Sequence, residues 1–270
     1  LDAERPAIVD TGVGTNHGRI LDMLDEVGVA KTDLTHILLT HVHLDHAGGA
    51  GFLAEEYPNA NIYVYESATH HLSDPSRIIE GTKQAIGDQW QYHAEPKPIP
   101  EDRIIGLSDG ETIDLGNRLL EVHHAPGHAP HQVVFDDRLN NAVFVADAAG
   151  VWIPSMGTIY TPSPPPNFDL KQVLEDTEMI ADLNPEVLLL PHYGPGPTDV
   201  QGILEDYRVA MVEWVNAVEA KYEALGKEAD VVDYFVSQNE VHKAWGTERV
   251  EADTALNVSG ALQYLTSHNG

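Results

Sequence analysis

The chain contains no cysteine in its 270 residues. That excludes disulfide staples and thiolate ligands, so any metal it holds is held by imidazole and carboxylate alone. Basic residues are scarce: 15 Lys and Arg face 43 Asp and Glu, a formal net charge of -28. A surface of that sign repels phosphate backbones and anionic membranes, because non-specific nucleic-acid binding depends on cationic side chains displacing counterions. No nucleic-acid partner is expected. The acids are spread along the whole chain rather than gathered in a tail, which fits a halophilic, salt-rich cytoplasm, where screening relieves self-repulsion, better than a merely acidic surface. Long apolar runs are missing too. Runs such as Ile37-Leu38-Leu39 and Val187-Leu188-Leu189-Leu190 are far too short to span a bilayer, and the first residues show no basic-then-apolar signal pattern. A cytoplasmic location without a membrane partner is the expectation.

What is present is ordinary for a folded domain: 42% hydrophobic and 21% charged residues, enough to bury a core at this length. Short β-rich runs recur through the first two thirds: Ala7-Ile8-Val9, Ile37 to Thr40, Ile62 to Tyr65, Leu119 to Val122, Val133 to Phe135, Ala142 to Val145 and Val187 to Leu190. Between some of them lie helical patterns, over His17 to Val27 and Leu170 to Leu183. This alternation predicts an α/β protein with sheets packed together and covered by helices. After Pro197 the texture turns helical, over Val200 to Leu225 with shorter segments at Val231 to Val236 and Thr254 to Leu265. A catalytic domain over residues 1–199 and a helical extension over 200–270 are therefore expected. Asp74 to Asp102 and the proline-bearing stretch Gly150 to Phe168 read as long loops lining a pocket.

The densest chemistry is His41-Val42-His43-Leu44-Asp45-His46, directly after an apolar strand. Residues two apart in extended backbone project to one side, so His41 and His43 can share a metal. Gly48 and Gly49 then let the chain turn into a helical run from Ala50, directing Asp45 and His46 into the same space. A solvated polar loop is a poor account of three His and one Asp in six residues.

In this stretch the sequence resembles the metallo-β-lactamase superfamily, whose hallmark is a His-x-His-x-Asp-His run after a sheet strand. Four further elements follow the family's order: Val9-Asp10-Thr11-Gly12, Ala125-Pro126-Gly127-His128, Phe144-Val145-Ala146-Asp147 and Leu190-Pro191-His192. The resemblance implies an αββα sandwich of the metallo-β-lactamase fold with a C-terminal helical appendage. It implies that His41, His43 and His128 hold one metal, that Asp45, His46 and His192 hold another, and that Asp147 bridges the two. Imidazole and carboxylate suit zinc, the first choice here, and also iron or manganese. Asp10 is a candidate acceptor that orients an imidazole ligand, with a turn role equally open. Tyr193, next to a ligand, is a candidate for substrate contact. Trp152 and Tyr160 are read first as packing residues. His124 and His131 are read as structural or supporting partners, and His17, His36, His70, His71, His93, His242 and His268 are given no role.

A dinuclear metal-dependent hydrolase follows from the resemblance. In it Asp45 and Asp147 are catalytic, and a metal-bridging hydroxide attacks a small-molecule thioester, ester or lactone, as in the glyoxalase II-like and lactonase-like branches. The alternatives are a mononuclear iron persulfide dioxygenase and an RNA- or phosphodiester-cleaving enzyme. The acidity opposes the last.

Overall fold

Ile62 and Val64 are fully buried, while Asn61, Tyr63 and Tyr65 beside them are half-buried. This alternation marks a strand with its fully buried face on a core. In the computed structural model, which describes residues 1–239 and 245–268, this run belongs to a parallel sheet. The chain divides into two compact units, one of Leu1–His124 with His131–Ala146, the other of Ala125–Pro130 with Asp147–Gly270.

The first unit contains β1 (Ala7–Val9), α1 (His17–Glu26), β2 (His36–Leu38), α2 (Leu44–Ala47), α3 (Ala50–Glu56), β3 (Asn61–Tyr65), α4 (Thr69–Ser73), α5 (Ser76–Ile86), β4 (Ile104–Leu107), β5 (Thr112–Asp114), β6 (Leu119–His124), β7 (Val133–Asp137) and β8 (Ala142–Phe144). The first four strands form a parallel sheet in the order β1-β2-β3-β4, with Val9 opposite Leu38 and Leu38 opposite Tyr63. Parallel neighbours need crossovers. Here α1, then α2 and α3, then α4 and α5 supply them, and their apolar stripes close one core: Leu24, Leu53 and Leu72 pack with Ile37, Ile62 and Val64. Strands β5 to β8 pair antiparallel in chain order. A second core joins the two sheets, with Leu38 and Leu107 from the parallel sheet against Leu120, Val122 and Phe135. The layers are thus helices, sheet, sheet, and burial on both faces explains why every residue of β2 is buried.

The second unit holds β9 (Val151–Ile153), β10 (Thr158–Tyr160), α6 (Leu170–Asp182), β11 (Val187–Leu190), β12 (Gly194–Pro195), α7 (Val200–Leu225), α8 (Glu228–Gln238) and α9 (Thr247–His268). Asp169 and Asp199 cap α6 and α7 by accepting from the backbone N–H groups of Gln172 and Gly202. Gly226, in the left-handed conformation at φ 73°, ends α7. Tyr207, Met211, Val215 and Val218 on α7 share a core with Phe168, Val231 and Val258. Asn257 on α9 is buried in use: its side chain accepts from the Ser163 backbone N–H at 2.6 Å and donates to Tyr160 Oη at 2.8 Å.

The α/β class and the helical C-terminal segment agree with the sequence reading. Two stretches expected to be long loops do not. Residues 74–102 contain α5 and a 3-10 turn over Gly87–Tyr92, and residues 150–168 contain the β9–β10 hairpin. Gly81 inside α5 and the four prolines after β10 obscured both patterns. The last helix also begins seven residues before the expected Thr254. Among the described residues, no helix is long and apolar enough to cross a membrane.

Candidate metal centre

The imidazole-rich stretch is shaped by close backbone packing. After β2 the chain runs through Thr40 and His41, both buried, and His43 is extended where it enters the single turn α2. A Cβ on Gly48 would strike the Leu44 carbonyl, and one on Gly49 would come within 2.5 Å of the Thr11 carbonyl oxygen. Only glycine allows the segment Asp10–Gly12 to lie this near. Thr11 donates to the His46 carbonyl from both its backbone N–H, at 2.6 Å, and its hydroxyl, at 2.9 Å.

Three imidazoles of the first unit converge here. His41 Nε2 lies 3.0 Å from His43 Nδ1, and the His41 and His46 ring centroids are 4.0 Å apart. His41 and His46 are fully buried. Asp10 braces the group: its Oδ1 accepts from the Thr40 backbone N–H at 2.8 Å, while its Oδ2 lies 2.8 Å from His46 Nδ1. With Nδ1–H given to a carboxylate, the lone pair of His46 sits on Nε2, the arrangement typical of a metal-ligating histidine. Asp45 is far more exposed, its Oδ2 3.7 Å from His46 Nε2.

The second unit brings together His128, Asp147 and His192. His128 Nε2 is 3.3 Å from Asp147 Oδ2, and His192 Nε2 is 3.7 Å from Asp147 Oδ1. His128 and Asp147 are buried. The segment carrying His128 is clamped by α6, because Gly127 donates its N–H to Asp176 Oδ2 at 2.7 Å and its carbonyl accepts from the Asp169 N–H at 2.9 Å. A Cβ on Gly127 would run into the Val173 backbone. Asp147 lies in a 3-10 turn over Ala146–Ala149, which Thr177 holds by donating to the Ala148 carbonyl. Tyr207 Oη lies 3.5 Å from the Asp147 carbonyl oxygen, and burial together with the Asp147 charge raises its phenol above the usual range.

Backbone strain marks the same places. Non-glycine residues with positive φ are Asp10, Asn141, Ala146, Asn184 and Tyr193. The two asparagines suit that conformation, whereas Asp10, Ala146 and Tyr193 coincide with or adjoin residues named from the sequence. Tyr193 is 54% exposed, positioned by the end of β11.

Two histidines given no role by the sequence reading stand near the first set. His71, on α4, has its ring 6.2 Å from that of His131, which lies 6.4 Å from His41 and 6.2 Å from His43. His93 is close enough to Asp45 for the carboxylate to raise its pKa against a larger lowering by burial. No sequence signal distinguished them, because neither lies within the spacing of a ligand motif. Asp176 did leave a signal, a carboxylate within the buried stripe of Val173, Thr177 and Ile180. His124 stacks on Tyr65 at 4.1 Å, Tyr160 packs on Trp245, Trp152 lies on β9 opposite Ile159, and His242 lies outside the described residues. Glu121, His123 and Asp136 also approach one another, but Arg138 pairs with both carboxylates and supplies the cation there.

Each donor set consists of nitrogen and carboxylate oxygen, and the Asp10–His46 contact at Nδ1 assigns the ligand role to the buried Nε2, so the residues fit divalent zinc, iron or manganese. Layered sheets, crossover helices and clustered His and Asp side chains that could hold metal ions define an α/β protein with a candidate metal centre. Residues 2–192 match the family model described as the Metallo-beta-lactamase superfamily, and the chain belongs to that superfamily. The metallo-beta-lactamase fold-containing protein ST1585 of Sulfurisphaera tokodaii is 29% identical over 191 residues, 66% of this chain and 70% of that one. The solved structure of the metallo-beta-lactamase family protein TTHA1429 from Thermus thermophilus shares the fold with a TM-score of 0.67, at 23% identity, covering 99% of this chain and 86% of that one. The human acyl-coenzyme A thioesterase MBLAC2 is 24% identical over 166 residues, 54% of each chain.

Proposed function

We propose that the protein is a metal-dependent hydrolase of a small-molecule thioester, ester or lactone, in which His41, His43, Asp45, His46, His128, Asp147 and His192 ligate two divalent ions, zinc first. The observation that carries the reading is the bracing of His46 by Asp10, 2.8 Å from Nδ1, in a chain whose superfamily match runs through all seven residues. A buried imidazole held in one tautomer by a carboxylate is preparation for a ligand role. The human relative named as an acyl-coenzyme A thioesterase favours an acyl substrate.

The chemistry that divalent ions supply when bound is a water made acidic near neutral pH and a carbonyl made more electrophilic. The chain's own residues do the rest. Asp45, the exposed carboxylate of the first set, orients the attacking water and takes up its proton at a carboxylate oxygen. Asp147, whose two oxygens face His128 and His192, would help hold the ions and offset their charge. Tyr193 contacts substrate from the exposed side. Attack by water on the acyl carbon breaks the bond to the thiol or alcohol, which leaves with a proton. The net charge of -28 supports a small substrate over a nucleic acid.

The test is a panel of thioesters, lactones, phosphodiesters and β-lactams, assayed on protein whose metal content is measured in the same preparation. Hydrolysis of a thioester, ester or lactone, lost on chelation and restored by zinc, is the expected result. One iron per chain with oxygen consumption, RNA cleavage, or no turnover with metal fully loaded would overturn it.

A further inference from the structure

Asp147 is the carboxylate on which His128 and His192 converge, yet the turn that carries it is not relaxed. Ala146, directly before it, has φ 48°, in the left-handed region that alanine avoids. Such a conformation persists only where its surroundings hold it. Contacts from two helices and from Gly150 do so here. Thr177 on α6 donates to the Ala148 carbonyl at 3.2 Å, and Gly150 donates its N–H to the Asp147 carbonyl at 3.1 Å.

The contact from α7 is made by Tyr207. Its side chain is fully buried, and its Oη, 3.5 Å from the Asp147 carbonyl oxygen, makes no other hydrogen bond among the described residues. A phenol shut off from water needs an acceptor, and the Asp147 carbonyl is the one it has. The ring fits as closely as the hydroxyl. Gly150 has φ 75°, and a Cβ there would come within 2.7 Å of Tyr207 Cδ2 and Cε2. Tyr207 therefore lies against the backbone just past Asp147, at a distance that only glycine permits. Behind it, Met211, Val215 and Val218 of α7 pack with Phe168, Val231 and Val258, so the helix that presents Tyr207 is itself anchored. The superfamily match ends at residue 192, and this support comes from beyond it.

We propose that Tyr207 is a positioning residue for Asp147. Through the Asp147 carbonyl and its seat on Gly150 it fixes the turn that places the carboxylate, and the C-terminal helices are thereby part of the metal centre rather than an appendage to it. The proposal rests on the reading of Asp147 as a metal ligand. Tyr207 acts on the backbone of that residue and takes no part as a ligand. Its contact is long for an O–H···O bond, so the effect of removing the hydroxyl is moderate.

The experiment measures the zinc affinity of the full chain by competition with a chromophoric chelator, and the visible absorption of the cobalt-loaded protein, which reports ligand geometry. Tyr207→Phe keeps the ring on Gly150 and removes only the hydroxyl. Its zinc affinity is expected to fall about two- to tenfold, the size of one hydrogen bond, with a shifted cobalt spectrum. Met211→Ala, on the same buried face of α7, is the control for packing alone: it lowers the melting temperature of the zinc-free protein and leaves zinc affinity and the cobalt spectrum as in the wild type. Unchanged affinity and spectrum in Tyr207→Phe, or a Met211→Ala variant that weakens zinc binding as much, overturns this proposal and leaves the hydrolase reading standing. Weaker zinc binding in Tyr207→Phe alone supports it whether or not an acyl substrate is turned over, and a silent substrate panel then removes only the hydrolase reading. A wild type that binds no zinc overturns both.

Discussion

Asp10 at the end of β1 and His46 in α2 stand 36 residues apart in the chain, yet Asp10 Oδ2 lies 2.8 Å from His46 Nδ1. The same carboxylate accepts from the backbone N–H of Thr40, which precedes His41. One side chain therefore sets both the tautomer of His46 and the path of the strand end that carries the other imidazoles. Asp10→Asn keeps an acceptor for Thr40 but offers His46 an amide. Metal affinity is expected to fall about 10–100-fold, measured by competition with a chelator, while the apo protein keeps its melting temperature. Unchanged affinity would remove Asp10 from the site.

Asp176 works from α6. It is buried and accepts from the Gly127 N–H through Oδ2 and from Gln172 Nε2 through Oδ1. Asp176→Ala leaves the Gly127 N–H buried and unpaired, at a cost of about 1–3 kcal/mol. Denaturant unfolding should show that loss, and the altered seat of His128 should weaken metal binding as well. A variant as stable as the wild type, with unaltered metal content, would show that Asp176 does not hold the segment.

His36 offers a pH test away from the metal-ligand candidates. It is buried on β2, stacked on Tyr63 at 4.9 Å, and its pKa is lowered, by burial first and then by Arg5, with Asp114 acting the other way. A lowered folded pKa means that the unfolded chain binds the proton more readily. The stability from neutral His36 is therefore present above the unfolded pKa of about 6.5 and is lost as pH falls through the folded value. Denaturation midpoints between pH 7.5 and 5.5 should fall less for His36→Phe than for the wild type. Parallel curves would assign the acid sensitivity elsewhere.

The charge of -28 makes salt a stabiliser if the chain is adapted to a saline cytoplasm. Screening shortens to a few ångströms at molar salt, so the melting temperature should climb as sodium chloride rises from low to molar concentration. A flat or falling curve would leave an acidic surface with no such adaptation.

The seven ligand candidates were legible because metal chemistry restricts residue type and strand geometry restricts spacing. His41 and His43 alternate in extended backbone, and His128, Asp147 and His192 each follow a short apolar strand and a turn. Residues 74–102 were misread as loop because α5 buries none of its residues completely and has a glycine at its centre. A helix held by half-buried contacts leaves a faint periodic trace.

Local pattern thus determined the α/β class, the absence of thiolate ligands, the acidic field and which residues stand as ligand candidates, since each depends on composition or on neighbours within a few positions. Tertiary structure alone decided which carboxylate orients His46, which one clamps Gly127, and that the ring of His71 stands 6.2 Å from that of His131. Two of these contacts join residues 36 and 49 apart. Such pairs are set by how strands and helices pack, and packing is a through-space property that no short window of sequence contains.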